Sequence, residues 1–185
     1  MEQESGRMFA ATVDVVAIGH TGGEPYALRD LLTEYGADVR LLPVGSPRHL
    51  ADVLNGTLSR ADHLLLCCHG DERGILLDEL APELAEQQPF NGVLTPGITA
   101  ELGRLDKPVV LSTGCMTGSD AMARGFLDAG CSAYIAPQGY PDGTAALAFA
   151  AAFYYRTLAL GTPLTGAVAT ARALGGDTDL FRLWH

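Results

Sequence analysis

Five short segments, at residues 13–18, 38–42, 63–68, 108–112 and 133–136, are nearly continuous runs of Val, Ile, Leu and Ala set between turn signals. A strand with one wet face alternates apolar and polar side chains, whereas a run apolar throughout needs cover on both faces. Such runs indicate a parallel sheet between layers of helix. The intervening segments supply the helices. Leu28, Leu31, Leu32 and Tyr35 share one helical face ahead of Gly36, and Met122, Phe126 and Ala129 repeat the pattern ahead of Gly130. Residues 144–160 are apolar nearly all round, which suits a largely buried helix. A further helix follows Pro163, with Leu164, Val168 and Ala171 inward and Gly175 as its stop.

Strands alternating with helices predict an α/β fold: a doubly wound, mainly parallel sheet with helices on both faces. A short apolar stretch at 179–184 supplies a sixth strand, at an edge. With 185 residues the chain is expected to form a single domain, with a flexible start over 1–10. Residues 78–97 carry prolines, acids and Gln87-Gln88, and are expected to form an exposed inserted loop.

Composition narrows the function classes. A formal net charge of -10 repels phosphate backbones and acidic lipid headgroups, so neither a nucleic-acid nor a membrane role is expected. No apolar run is long enough to cross a bilayer, and residues 1–9 lack the basic-then-apolar layout of a secretion signal. Cys67 and Cys68 are neighbours inside an apolar run, and the pattern of four cysteines suits a reducing compartment, so a cytoplasmic location is expected.

Ligands of such sheets bind beyond the carboxyl ends of the strands. That rim carries Gly19–Gly23 with His20, then His69-Gly70, then Thr113-Gly114-Cys115, then 137–140. If the third and fourth apolar runs are neighbours, about 4.8 Å apart, His69 and Cys115 come within reach as base and nucleophile. Cys115 precedes 116–119, read as a helix opening whose positive end favours thiolate. Gly114 permits a tight turn and close substrate approach. The N–H groups of Gly70 and Cys115 are placed to hold the oxyanion of a tetrahedral intermediate. This chemistry requires no cofactor and no metal.

Other uses of these residues fit less well. A zinc site built from Cys67, Cys68, His69 and Cys115 would need two adjacent strand residues to face one ion, although strand neighbours point to opposite faces. A phosphatase-like Cys115 lacks a nearby downstream arginine, Arg124 being the first. Gly19–Gly23 does not have dinucleotide spacing. Glutamine amidotransferases place their histidine after the cysteine, and here only His185 follows Cys115.

The runs HLLLCCHGDERGILL and PVVLSTGCMTG, with the tail from SAYIAPQGYPDG onward, resemble the caspase-like cysteine peptidases, and among them CHAT domains most closely. The resemblance covers the chain from about residue 10. It implies that Cys115 is the nucleophile, His69 the acid or base, and Gly70 part of the oxyanion hole. It also implies a pocket for the residue before the scissile bond, lined by the loops holding His20, Thr113 and 138–142, including Gln138, Tyr140 and Asp142. A peptide or protein is the substrate it implies; a small-molecule amide, or a catalytically silent CHAT-like module that binds a partner, are the alternatives.

The chain also departs from the caspases. Thr113-Gly114-Cys115-Met116-Thr117 replaces the caspase pentapeptide, and no arginine stands in the first or fifth strand loop, which argues against aspartate specificity. Asp142 either accepts a basic substrate side chain or simply caps the helix that follows it.

Overall fold

The computed structural model describes residues 11–185, so the expected flexible start lies outside it. Chain order is β1 (Thr12–Ile18), α1 (Glu24–Glu34), β2 (Asp38–Val44), α2 (Pro47–Leu54), β3 (His63–Cys67), β4 (His69–Asp71), β5 (Gly74–Leu76), α3 (Pro82–Ala85), β6 (Val93–Leu94), α4 (Pro96–Leu102), β7 (Val109–Ser112), α5 (Asp120–Asp128), β8 (Ala133–Pro137), α6 (Gly143–Tyr154), α7 (Leu164–Arg172) and β9 (Phe181–Trp184). The five apolar runs are the five parallel strands of one six-stranded sheet, ordered β2-β1-β3-β7-β8-β9. The sixth strand, β9, pairs antiparallel with β8 at the edge, after a short helical turn over Gly176–Leu180.

Each buried strand divides its side chains between two cores, as the pleat requires. Val13, Val15, Leu65, Cys67, Leu111 and Ile135 pack on one face beneath α1, α6 and α7. Val16, Ile18, Leu64, Leu66, Cys68, Val110 and Tyr134 pack on the other beneath α2 and α5. Cys67 and Cys68 therefore lie on opposite sides of the sheet, as alternation demands.

Residues 78–89 are largely exposed, as expected of the inserted loop, but the end of the segment departs from a loop. After β3 the chain leaves the main sheet and forms a three-stranded antiparallel sheet, β4-β5-β6, to which Val93–Leu94 contributes the last strand. Phe90 and Leu94 are buried in the second core, so this segment anchors itself by apolar contact. Helix α2 is a further addition. Ser46 accepts a hydrogen bond from the His49 N–H at 3.3 Å, Pro47 opens the first turn, and Leu50, Val53 and Leu54 face inward.

One buried charge sits far from the strand tips. Asp14, early in β1, is 1% exposed and is held by the Arg40 fork at 2.8 and 2.6 Å and by the Ser59 hydroxyl at 2.5 Å. Removing the guanidinium leaves a buried carboxylate with one hydroxyl donor. Arg40→Ala is expected to lower stability by about 2 kcal/mol in urea denaturation, because an uncompensated buried charge costs that order.

Candidate active site

The strand order reverses between β1 and β3: β2 lies to one side of β1, and β3, β7 and β8 follow on the other. Neighbouring strands whose connections depart in opposite directions leave a crevice at their carboxyl ends. A cavity of about 590 Å³ occupies that position. Its walls come from the β1–α1 loop with His20 and Glu24, from Cys68 and His69 after β3, from Thr113 and Cys115 after β7, and from Pro141, Asp142 and Leu147 around the start of α6. A second hollow of about 390 Å³ lies at the other end of the sheet around Asp14 and Arg40, whose charges already pair with each other.

His69 opens β4, so it is the first residue of the small sheet and its ring is exposed to the cleft. Its Nε2 lies 3.1 Å from the His20 carbonyl oxygen. A carbonyl can only accept, so Nε2 carries the proton, and in the neutral ring Nδ1 is left with a free lone pair. His20 thus orients His69 through its backbone, while its side chain is exposed at the rim.

Cys115 lies on a tight turn held from below. The Ser112 hydroxyl contacts Thr117 Oγ1 at 2.9 Å and accepts the Gly114 N–H at 3.3 Å, Thr117 Oγ1 donates to the Gly114 carbonyl at 2.7 Å, and the Tyr134 hydroxyl donates to the Thr117 carbonyl at 2.9 Å. From the side, the Met116 N–H donates to the Gly139 carbonyl at 2.7 Å and the Gly118 N–H to the Pro137 carbonyl at 2.9 Å. Met116 adopts a φ of +57°, a left-handed conformation that a non-glycine residue holds only when its surroundings enforce it. Among the described residues, the Cys115 N–H donates to no carbonyl of the turn and remains available.

The thiol differs from the state expected of it. Helix α5 begins at Asp120, and its N-cap Ser119 already accepts the Met122 N–H at 3.1 Å, so the helix end lies four residues beyond Cys115. Burial pushes the Cys115 thiol above its ordinary value, although its own backbone N–H offsets part of that. The sulfur lies 4.0 Å from the Pro141 carbonyl and makes no hydrogen bond to His69 among the described residues.

Glu24 was not anticipated. It is the first residue of α1, and its carboxyl enters the cavity wall, where the Thr113 hydroxyl donates to Oε2 at 3.3 Å. Oε1 is buried without a hydrogen-bond partner. Burial raises this carboxyl to about 7, against the lowering effects of the Thr113 hydrogen bond and of His69. An acid in the first turn of a helix ordinarily complements the helix dipole in water. Its sequence signal was its position directly after Gly22-Gly23, on a loop already assigned to the pocket.

The other sequence-derived positions divide into three groups. Thr113 and Asp142 line the cavity, Asp142 also capping α6 by accepting the Thr144 N–H at 2.9 Å. Gly70 and Gly114 lie behind it as close-packing points: a Cβ on Gly114 would stand 2.8 Å from Cys68 Sγ. Gln138 and Tyr140 fall outside the cavity wall. The Gln138 N–H bonds the Leu180 carbonyl at 3.0 Å, and the Tyr140 hydroxyl reaches Glu72 at the tip of the β4–β5 turn.

No family model matches the sequence, and no curated protein does. Solved structures do match. Gingipain R, an Arg-specific cysteine proteinase, superposes with a TM-score of 0.59 at 13% identity over 93% of this chain and 45% of its own. The complex of Porphyromonas gingivalis gingipain pro- and mature domains gives 0.56 at 12%, over 91% and 44%. The fold is caspase-like. A secreted cysteine protease from Bacteroides thetaiotaomicron, solved with an irreversible peptide inhibitor, gives 0.54 at 11%, over 94% of this chain and 65% of its own. The chain thus spans about half to two thirds of the caspase-like proteases it superposes on. No described helix is long and apolar enough to cross a membrane.

Proposed function

We propose that the protein is a cysteine peptidase in which Cys115 attacks a peptide carbonyl and His69 moves the protons. The supporting observation is the single cavity at the β1/β3 reversal, which is lined by a thiol and by an imidazole whose Nε2–H is committed to the His20 carbonyl. His69 Nδ1 takes the Cys115 proton as sulfur bonds to the carbonyl carbon. The Gly70 and Cys115 N–H groups hold the oxyanion. His69 then returns the proton to the leaving amine, and a water that it deprotonates cleaves the thioester to release the acid.

The cavity favours a basic residue before the scissile bond. Glu24 and Asp142 contribute carboxylates, and no Lys or Arg among the described residues lines it. The Arg-specific name of gingipain R agrees with that reading. Profiling on a peptide library should show cleavage after Lys or Arg, and Glu24→Gln should reduce kcat/KM on those sequences about 10- to 100-fold, the usual value of one charged pair out of water. Cleavage confined to small-molecule amides would replace peptides as the substrate class.

A silent CHAT-like binding module is the second reading, and the raised Cys115 thiol, which faces the Pro141 carbonyl and makes no hydrogen bond to His69 among the described residues, favours it. A thiol-reactive probe separates the two. A peptidase labels at Cys115 in a manner that requires His69, whereas a module labels regardless of His69. Four free cysteines, three of them buried, accord with a reducing compartment such as the cytoplasm.

A further inference from the structure

Glu24 carries the least explained polar atom of the cavity. Its Oε1 is shut away from solvent with no donor facing it, while Oε2 has a single hydroxyl, Thr113 Oγ1, which also lies 3.3 Å from the Leu66 carbonyl. One hydroxyl proton cannot fully serve both acceptors. A carboxylate so poorly solvated is short of positive charge, and two species can supply it: a proton on Glu24 itself, or a cation delivered by a ligand.

We propose that Glu24 makes the pocket a proton-linked selector, in which the ionised carboxylate admits a cationic side chain and the protonated carboxyl admits a neutral one. This rests on the peptidase reading for its substrate but not for its binding step. The exchange balances: an ammonium or guanidinium enters, the Glu24 proton leaves to solvent, and the charge buried in the cavity remains zero. The pocket therefore prefers Lys or Arg on the alkaline side of neutrality and accepts a neutral residue such as Gln on the acid side.

The groups around Glu24 set the balance. His20 comes from its own loop, Cys67 and Cys68 from the end of β3, His69 from the start of β4, Cys115 from the turn after β7 and Asp142 from the start of α6. Cys67 and Cys68 are held as neutral thiols by burial, with Cys68 pushed up to about 12. The carboxyl rises to about 7, so its own change falls within the accessible pH range.

The test compares two peptide substrates that differ only in Lys or Gln before the scissile bond. Their kcat/KM ratio cancels whatever pH dependence the shared chemical step contributes. In the unaltered protein the ratio should rise about tenfold per pH unit on both sides of 7, the slope of one linked proton. In Glu24→Gln it should be flat. A flat ratio in the unaltered protein overturns the selector, and a slope that persists in Glu24→Gln assigns the effect to another group and overturns it too.

Benzamidine titrated calorimetrically into the unaltered protein, in two buffers of different ionisation enthalpy, gives a readout independent of turnover. Close to one proton should be released at pH 6 and almost none at pH 8. Absence of binding, or binding without proton release at pH 6, overturns the selector. Failure to cleave either peptide sinks the peptidase reading alone.

Discussion

Cys115→Ala should reduce peptide hydrolysis by at least about 10⁴-fold while leaving the thermal midpoint within a degree or two of the unaltered protein. The magnitude follows from the loss of a covalent nucleophile, which the remaining oxyanion donors and binding contacts cannot replace. The intact fold follows from position. Cys115 is only partly buried, and the turn around it is held by Ser112, Thr117, Tyr134 and the backbone of 137–139, none of which uses the sulfur. The neighbouring thiol is no substitute, because Cys68 is 5% exposed, contacts Ser112 Oγ at 3.4 Å, and has its thiol pushed up to about 12 by burial. Cys68→Ala should therefore retain turnover. Hydrolysis by purified Cys115→Ala at an undiminished rate would remove the thioester mechanism. Because burial also raises the Cys115 thiol, the unaltered protein starts as thiol, and its rate should increase with pH as thiolate becomes accessible.

The parallel sheet was legible because its strands are doubly buried, and a doubly buried strand leaves an apolar run that few other structures produce. The strand tips followed from the run ends, which is why His69 and Cys115 could be paired before their elements were placed. The small second sheet was not legible. Its strands have three, three and two residues, too short for a two-residue period to register. Its stability comes from contacts distant in sequence, such as Phe90 and Leu94 against the second core. Helix α2 had a readable start at Ser46-Pro47 and an inward face at Leu50, Val53 and Leu54, but its eight residues fall between two stronger strand signals.

Polar side chains were the hardest to assign. Glu24 looks like an ordinary first-turn acid, and only its placement beside Thr113, after β7, takes it away from water. Asp142 shows the opposite outcome. It lines the cavity, yet its Oδ1 is occupied by the Thr144 N–H, so the less committed acid of the pocket is Glu24. Tyr140, grouped with the pocket by loop membership, instead turns outward to Glu72. Membership of a rim loop places a backbone at the site, but the direction of each side chain depends on contacts that the local sequence does not contain.

Gly70→Ala should cost at least about 100-fold in kcat/KM, with a stability loss of only about 1–3 kcal/mol, the range of a single overpacked methyl. An ideal Cβ at residue 70 would stand 2.4 Å from the Cys115 carbonyl oxygen and 2.6 Å from Thr117 Cγ2. Neither neighbour can yield cheaply: the 115–117 turn is fastened to Ser112, Gly139 and Tyr134, and Thr117 is fully buried. Strand β4 is the softer partner, since it pairs only with β5 in a small antiparallel sheet. It should therefore move outward, carrying His69 away from Cys115 and misplacing the Gly70 N–H at the same time. A shift near 1 Å at a reacting pair is enough for a loss of about 10². Gly45→Ala is the control, because a Cβ there meets nothing within 4 Å. Parallel measurement of kcat/KM and thermal midpoint decides the matter: full activity in Gly70→Ala would mean that the close approach of the His69 hairpin to the Cys115 turn has no part in catalysis.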